Sequence, residues 1–586
     1  MDSSLYSPDA SLVPRYVAFL SQRDVSYSVP INHVPQPGVA LTAACFANLK
    51  YEEAPATRCI SNLLAAGFRR VEADIYWDSS RSLWSLCPIE LGTPNEVLTT
   101  STSLLPTATE PPPASLSARQ DDELTSQSAV TTLISVSVAE ASKTLTLSAD
   151  TTTTALEGTG TSTAGGADGS AIRIGAYDCT PSMNFDLLLS ILSARLTDTA
   201  TDLNASTVIL SLNVHAAAAA SAPSDSARQP PTELLPSPQN LLSSAVLRNL
   251  SSRVYTPSDL STQKGGLNSS QSWFTVNPAE EPASAYFQVV SSNGGSSTPD
   301  GWPSERYIEM SIAKRLLMEF GGIDPQMAEY NFSADSSLIF PRGYLTEPTT
   351  TTFRSNGSIV SGCLFDPTVT TVAGQNNSWA LRQLRDSAQG DAIQRLAIAK
   401  SLTDCGISPF LNESLANATA DEAYAPYQAF VESTIWSWGP DQPVNASESE
   451  ELNDYRCAAL NATSDLACDD DSAFAVPRTP LENAHLLSVW REYRRTRDED
   501  ADPLLWLDFN QLDVSACWVT GQNTTCPYML PADLDSRRIL VPVIGAFIIF
   551  VLAALTVCIK CVGNRQTARR RKRRGNDGWD YEGVPS

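Results

Sequence analysis

The spacing of apolar positions changes period several times along the chain. Asn62-Leu63-Leu64-Ala65-Ala66 reads as the last turn of a helix, with Gly67 as its stop. Phe68 to Trp77 (FRRVEADIYW) then alternates with period two, and Leu83-Trp84-Ser85-Leu86-Cys87 continues in the same way, so two strands are predicted. Met183–Arg195 predicts a helix. Thr207–His215 is a nearly continuous apolar run suited to a buried parallel strand. Across Ser304–Phe320 the residues Ile308, Ile312, Leu316 and Phe320 recur every fourth position before Gly321-Gly322, which predicts a further helix. Short strands are expected near Leu338–Phe340, Ile359–Leu364 and Thr434–Trp438. Strands alternating with helices over residues 1–92 and 171–443 predict an α/β fold of parallel-barrel type.

Two stretches interrupt this pattern. Residues 93–170 are rich in Ser, Thr and Pro and poor in aromatics, the composition of a disordered, mucin-like insertion. A second low-complexity stretch runs over 216–235. Residues 444–536 form a smaller α+β module containing Cys. Phe474–Thr479 leads into a helix at Leu481–Arg495, and Leu505–Leu507 and Cys517–Val519 read as strands.

Ile539–Ile559 (ILVPVIGAFIIFVLAALTVCI) holds 21 residues without a charge. That length matches the ~30 Å hydrocarbon core of a bilayer, so one C-terminal transmembrane helix is expected. Arg537 and Arg538 precede it, whereas Lys560, Arg565 and Arg569–Arg574 follow it. The larger basic cluster is expected in the cytoplasm, which gives a single-pass type I protein with tail 560–586. The tail carries +5, and taking this from the total of −25 leaves −30 on the preceding residues. So acidic a body argues against nucleic acid as a direct ligand. The first 24 residues lack the apolar centre of a signal peptide, so a leader ahead of Met1 is expected.

Eleven Asn-X-Ser/Thr sequons precede the apolar segment: Asn204, Asn249, Asn268, Asn331, Asn356, Asn376, Asn412, Asn417, Asn445, Asn461 and Asn523; none follows it. This one-sided distribution predicts a glycoprotein facing the secretory lumen or the cell surface. Ten cysteines lie on the same side, an even number that suits an oxidising compartment, and Cys517 and Cys526 are close enough to close a small loop. There is no C-x-x-C pair and there are only three histidines, which makes a zinc site unexpected.

The segments SQRDVSYSVPINHV from Ser21, NLLAAGFRRVEADIYWDSSRSLWSLCP from Asn62, LNVHAAA from Leu212, TIWSWGP from Thr434, FAVPRTPLENAHL from Phe474 and WLDFNQLDVSACWVTG from Trp506 resemble, in order, the fungal maintenance of telomere capping protein 6 family. The resemblance implies a type I membrane glycoprotein with a phospholipase C-like phosphodiesterase barrel of TIM type and an indirect link to telomere capping. The 444–536 module resembles a C-type lectin domain in its helix followed by W-x-x-F-N and C-W-V.

Phosphodiesterases of that kind use two histidines as acid and base, with carboxylates and a divalent cation. Val71-Glu72-Ala73-Asp74 resembles their E-x-D metal motif, and residues two apart on a strand share a face. Glu72 and Asp74 are therefore candidate ligands for Ca²⁺ or Mg²⁺. The alternative is a pair of carboxylates salt-bridged to Arg69 and Arg70. Where related enzymes carry a histidine on the next strand, this chain has Leu86-Cys87-Pro88. His33, His215 and His485 are read as structural, so no catalytic residue is assigned and the barrel is expected to lack catalysis. A glycan or lipid headgroup is the expected ligand. The alternative is a metal-dependent phosphodiesterase in the lumen.

Overall fold

The computed structural model describes residues 5–9, 16–92, 171–200, 202, 204–250, 252–276, 280–366, 377–384, 392–439, 457–461, 476–496, 504–511, 518–520 and 549–556. The 93–170 insertion, Cys517 and Cys526, and most of 539–559 lie outside these residues.

Helix α1 (Tyr16–Val25) leads into strand β1 (Gly38–Ala40), helix α2 (Glu53–Ala66) and strand β2 (Arg70–Asp78). Gly67 ends α2 at φ +106°, the left-handed conformation expected of a helix stop. Strand β3 (Leu83–Ser85) folds back antiparallel on β2. After the insertion come helix α3 (Phe185–Asp198), strand β4 (Val208–Ala216) and strand β5 (Leu316–Ile323). Strands β6 (Glu347–Pro348), β7 (Ala380–Leu384) and β8 (Ser408–Leu411) complete the sheet, with helix α4 (Ala392–Asp404) between β7 and β8 and helix α5 (Ala425–Ser433) after β8.

The sheet order is β5-β4-β2-β1-β8-β7-β6, and every neighbouring pair along it is parallel. Chain order and spatial order therefore agree around a barrel, with the one break between β5 and β6. There Phe340 makes an isolated parallel bridge to Glu319. The carboxylate of Glu319 accepts from the backbone N–H of Leu345 (3.0 Å) and the hydroxyls of Thr346 and Ser211. A side chain thus takes over hydrogen bonding that a strand ladder would supply at the seam.

One face of the sheet is apolar and covered by helices. Val71, Ala73 and Ile75 of β2 and Leu210, Leu212 and Val214 of β4 pack in one cluster with Ile60 and Leu63 of α2 and Leu188 and Leu192 of α3. Each of the Val, Leu and Ile side chains contributes roughly 1.5–3 kcal/mol by leaving water. The alternate residues of the same strands are only half-buried, so the inner face opens to solvent.

Three expectations are corrected. Ser304–Phe320 is not a helix. A single π-type turn at Tyr307–Ser311 is followed by Ala313 at φ +52° and then by strand β5. Leu316 to Phe320 are all buried, so apolar residues fall on both faces and coincide with a helical spacing. Thr434–Trp438 is not a strand but the segment leaving α5. Ile435, Trp436 and Trp438 pack against Ala18 and Val25 of α1, and Gln22 accepts the Trp436 N–H. The low-complexity stretch 216–235 packs against the barrel: Ala217 and Ala218 donate to Trp77 and Pro88 carbonyls, and Leu234 accepts from the Trp77 indole.

Cys45–Cys59, Cys87–Cys179 and Cys363–Cys405 are disulfides. The smaller module has a three-stranded antiparallel sheet, β9 (Cys457–Asn461), β10 (Leu504–Gln511) and β11 (Trp518–Thr520), with helix α6 (Pro480–Thr496) in the chain between β9 and β10. Residues 549–556 are helical with Ile549, Phe550, Leu552 and Leu555 exposed. Among the described residues no helix is long and apolar enough to cross a membrane.

Candidate functional site

Strands β2 and β4 run side by side in register, pairing Glu72 with Ser211, Asp74 with Asn213 and Tyr76 with His215. Strand period two puts these six on the half-buried inner face. The row Glu72–Ser211–Glu319 lies one layer deeper than Asp74–Asn213, because Glu319 of β5 is in register with Ser211. Below it, Arg70 is fully enclosed. Its guanidinium donates to the Leu345 carbonyl (2.9 Å) and lies over the Trp379 ring, and burial pulls its pKa down to about 10 against the influence of Glu319.

Asp74 is the best-connected acid at the C-terminal mouth. Its Oδ1 accepts from the Asn213 amide (2.7 Å) and its Oδ2 from the Thr42 hydroxyl. The Nε2 of His215 stands 3.6 Å from Oδ1, an ion-pair distance too long for a hydrogen bond. On the other side of the ring, Nδ1 lies 2.9 Å from the Asp324 carboxylate. The imidazole stacks on Tyr76 with centroids 5.0 Å apart. The amide carbonyl of Asn213 accepts the Gly322 N–H. A Cβ on Gly321 would stand 2.3 Å from the same oxygen, so only glycine lets β5 approach Asn213 this closely.

The electrostatics follow from this clamp. Burial disfavours charge on Asp74, but the His215 side chain and the donors Thr42 and Asn213 outweigh it and hold its pKa below the ordinary value. Burial likewise opposes protonation of His215, and the two carboxylates outweigh it to raise its pKa. Burial, with Asp74 nearby, pushes the Tyr76 hydroxyl well up, so it stays protonated.

The sequence placed Glu72 and Asp74 on one face, and the structure puts them there. The arginine alternative fails for Asp74, whose partners are Thr42, Asn213 and His215. Arg69 pairs instead with Glu305 at 2.7 Å. Among the described residues no group of three or more His, Cys, Asp or Glu side chains is placed to hold a metal. His215 is not a bland structural residue but the centre of the mouth. His33 is buried ahead of β1, where its Nδ1 meets Asn377 at 2.6 Å. It therefore lies at the N-terminal end of the barrel, opposite His215. His485 is half-buried on α6.

Sequence reasoning missed Thr42, Tyr76, Asn213 and Asp324. Tyr76, Asn213 and His215 were findable, since they continue the alternation of two predicted strands. Asp324 was not, because the strand before it was read as a helix. Of the sequon asparagines among the described residues, Asn204, Asn268, Asn331, Asn356 and Asn417 are exposed. Asn249 is half-buried, its amide donating to Asp186 and to the Ala245 carbonyl.

Residues 13–437 match the family described as the MTC6 partial TIM-barrel domain. Among curated proteins, the chain is 24% identical to "Maintenance of telomere capping protein 6" of Zygosaccharomyces rouxii over 57% of this chain and 66% of that protein. It is 24% identical to the protein of that name in Vanderwaltozyma polyspora over 50% of this chain and 59% of the relative. With the Candida albicans protein of the same name it is 22% identical over 97% of this chain and 94% of the relative. The chain thus spans less than two thirds of the first two relatives. No solved structure matches.

Proposed function

Because the chain belongs to the maintenance of telomere capping protein 6 family, we propose that it is a membrane-tethered, lumen-facing glycoprotein whose barrel binds a polyhydroxylated ligand, a glycan or an inositol headgroup, and does not cleave phosphodiesters. The observation that carries the binding reading is the mouth itself. Asp74, Asn213 and Asp324 offer fixed carboxylate and amide groups beside the half-buried Tyr76–His215 stack. Paired carboxylate and amide groups match the alternating donors and acceptors of neighbouring hydroxyls, and a ring edge supplies apolar contact.

The loss of catalysis is supported by the placement of the histidines. The chain has three, and only His215 reaches the mouth, so a two-histidine relay of acid and base has no second member. A second reading keeps Glu72 and Asp74 as ligands of a divalent cation in a working phosphodiesterase, favoured by their shared inner face. A single cytoplasmic tail and a lumenal body are supported by the uncharged 539–559 run, the basic residues after it and the sequons before it. The three disulfides of the barrel suit an oxidising compartment. A telomere effect would then act through lipid, wall or trafficking chemistry, since so acidic a body disfavours nucleic acid as a direct ligand.

The test is a glycan array and an inositol-phosphate titration with the full-length protein in nanodiscs. Binding that falls at least tenfold in Asp74→Asn and His215→Gln is expected. Turnover of phosphoinositides or glycerophosphodiesters that disappears in Glu72→Ala would overturn the non-catalytic reading. Endoglycosidase treatment with protease protection of the tail checks the topology, and unchanged mobility after sugar removal would overturn that part.

A further inference from the structure

The opposite end of the barrel carries a second cavity, of about 320 Å³ and unrelated to the mouth. It lies where α2, α3 and α5 end, beneath α1, which crosses the N-terminal ends of the strands. Phe19 and Leu20 of α1, Leu64 of α2, Val431 of α5 and Ile435 make an apolar wall. Gly67 lets α1 sit this close, because a Cβ there would stand 2.7 Å from the Phe19 ring. The size falls at the lower end of the ~300–1,000 Å³ typical of small-molecule sites, and such sites are mostly apolar with a few fixed polar groups.

Two arginines among those polar groups differ in their partners, and the difference points to the kind of head the cavity would take. Arg69 is 5% exposed, and its Nε has no hydrogen-bond partner among the described residues, although its Nη1 bonds Glu305. Arg195 is 6% exposed and donates hydrogen bonds to neutral oxygens, the Tyr6 hydroxyl (2.7 Å) and the Ser206 hydroxyl (2.9 Å). Arg69 thus has its anionic partner in Glu305, whereas a buried guanidinium held by neutral acceptors, as Arg195 is, is a costly arrangement until an anionic acceptor arrives. Asp198, Asp202 and Glu432 also line the cavity, and the helix C-termini add partial negative charge, so a doubly charged head such as a phosphate monoester is disfavoured against a single carboxylate.

We propose that this cavity is a binding site for a small amphipathic carboxylate, its chain along the Phe19–Val431 wall and its head on Arg195. The site is independent of the mouth and of the reading given to it.

The test uses the full-length protein in nanodiscs and a photoreactive diazirine analogue of decanoic acid, with labelled peptides mapped after digestion. Saturable labelling of α1 or α5 peptides is expected, competed by decanoate at least tenfold better than by decanol or decyltrimethylammonium. The wall-filling variants Ala65→Phe and Ala66→Phe are expected to lower the labelling at least tenfold. Their melting temperatures, read alongside, separate filling from unfolding. Labelling confined to other segments, equal competition by decanol, or undiminished labelling in a filled variant that melts like wild type would each overturn the proposal.

Discussion

His215 stands between two carboxylates, Asp324 at hydrogen-bond distance and Asp74 at ion-pair distance, and both favour its protonated form. The raised folded-state pKa means that its contribution to stability is complete below the ordinary histidine value and is lost as pH rises through the folded value. Asp74 works in the opposite direction. Its lowered pKa contributes stability above the ordinary carboxylate value, lost as pH falls through the folded value. Between those limits the clamp is intact, and raising pH from about 6 to about 8 is expected to lower the melting temperature of the wild type. Removing one carboxylate should expose the mechanism. In Asp324→Asn the His215 pKa is expected to fall, read from the imidazole C–H shifts in an NMR titration. The signal is assigned by its absence in His215→Gln. An unchanged titration would show that Asp324 does not hold the ring in solution.

At the scale of elements, the barrel depends on a seam closed by one side chain. Glu319 is 2% exposed and accepts from Leu345 N–H and the hydroxyls of Thr346 and Ser211. It also faces the enclosed Arg70. Glu319→Ala leaves those donors without their acceptor and the enclosed Arg70 without its nearby carboxylate, and the expected loss is about 3–5 kcal/mol in denaturant unfolding. Glu319→Gln keeps an acceptor and is expected to lose less. Equal stability of the alanine variant and the wild type would refute a seam role. The same residue shows where sequence legibility ended. Glu72 and Asp74 could be placed on one face because period two survives in FRRVEADIYW, whose outer residues are apolar and inner residues polar. In β5 the buried run Leu316–Phe320 has no such contrast, and its overlap with an every-fourth spacing hid Glu319, the glycine approach to Asn213 and Asp324 together. The helix of residues 185–198 and the strand of 208–216 were legible because each keeps one period from end to end.

At the scale of the molecule, the chain that leaves β3 returns to the place it left. Cys87 and Cys179 are joined with Cα atoms 6.2 Å apart, although 92 positions separate them. Beside that bond, Leu86 N–H donates to the Met183 carbonyl, and Ser85 bridges Asn184. Glu90 is tied separately to the Ala218 carbonyl, and the hairpin of Ile172–Ile174 and Tyr177–Cys179 joins the strand Lys50–Tyr51. Both flanks of the Ser/Thr-rich segment are thus fixed by the barrel's own contacts, and no described contact of the mouth draws on residues 94–168. Replacing 94–168 by a Gly/Ser linker of about ten residues is therefore expected to leave the fold and the Asp74–His215–Asp324 clamp in place. A shorter loop also costs less entropy to close, by only about 0.6 kcal/mol for each halving of its length, so a small gain in stability is expected. Reduction should separate the two halves of this argument. With the loop intact, losing the Cys87–Cys179 crosslink frees about ninety residues and is expected to cost on the order of 4–5 kcal/mol. In the shortened protein the same loss is expected to be about 3.5 kcal/mol, because the loop it closes is far smaller. Scanning calorimetry of both proteins with Cys87 and Cys179 changed to Ala measures the difference. If the shortened chain failed to fold with the disulfide present, the segment would have to supply contacts that the barrel lacks, and the closure by Leu86, Glu90 and the hairpin would be insufficient.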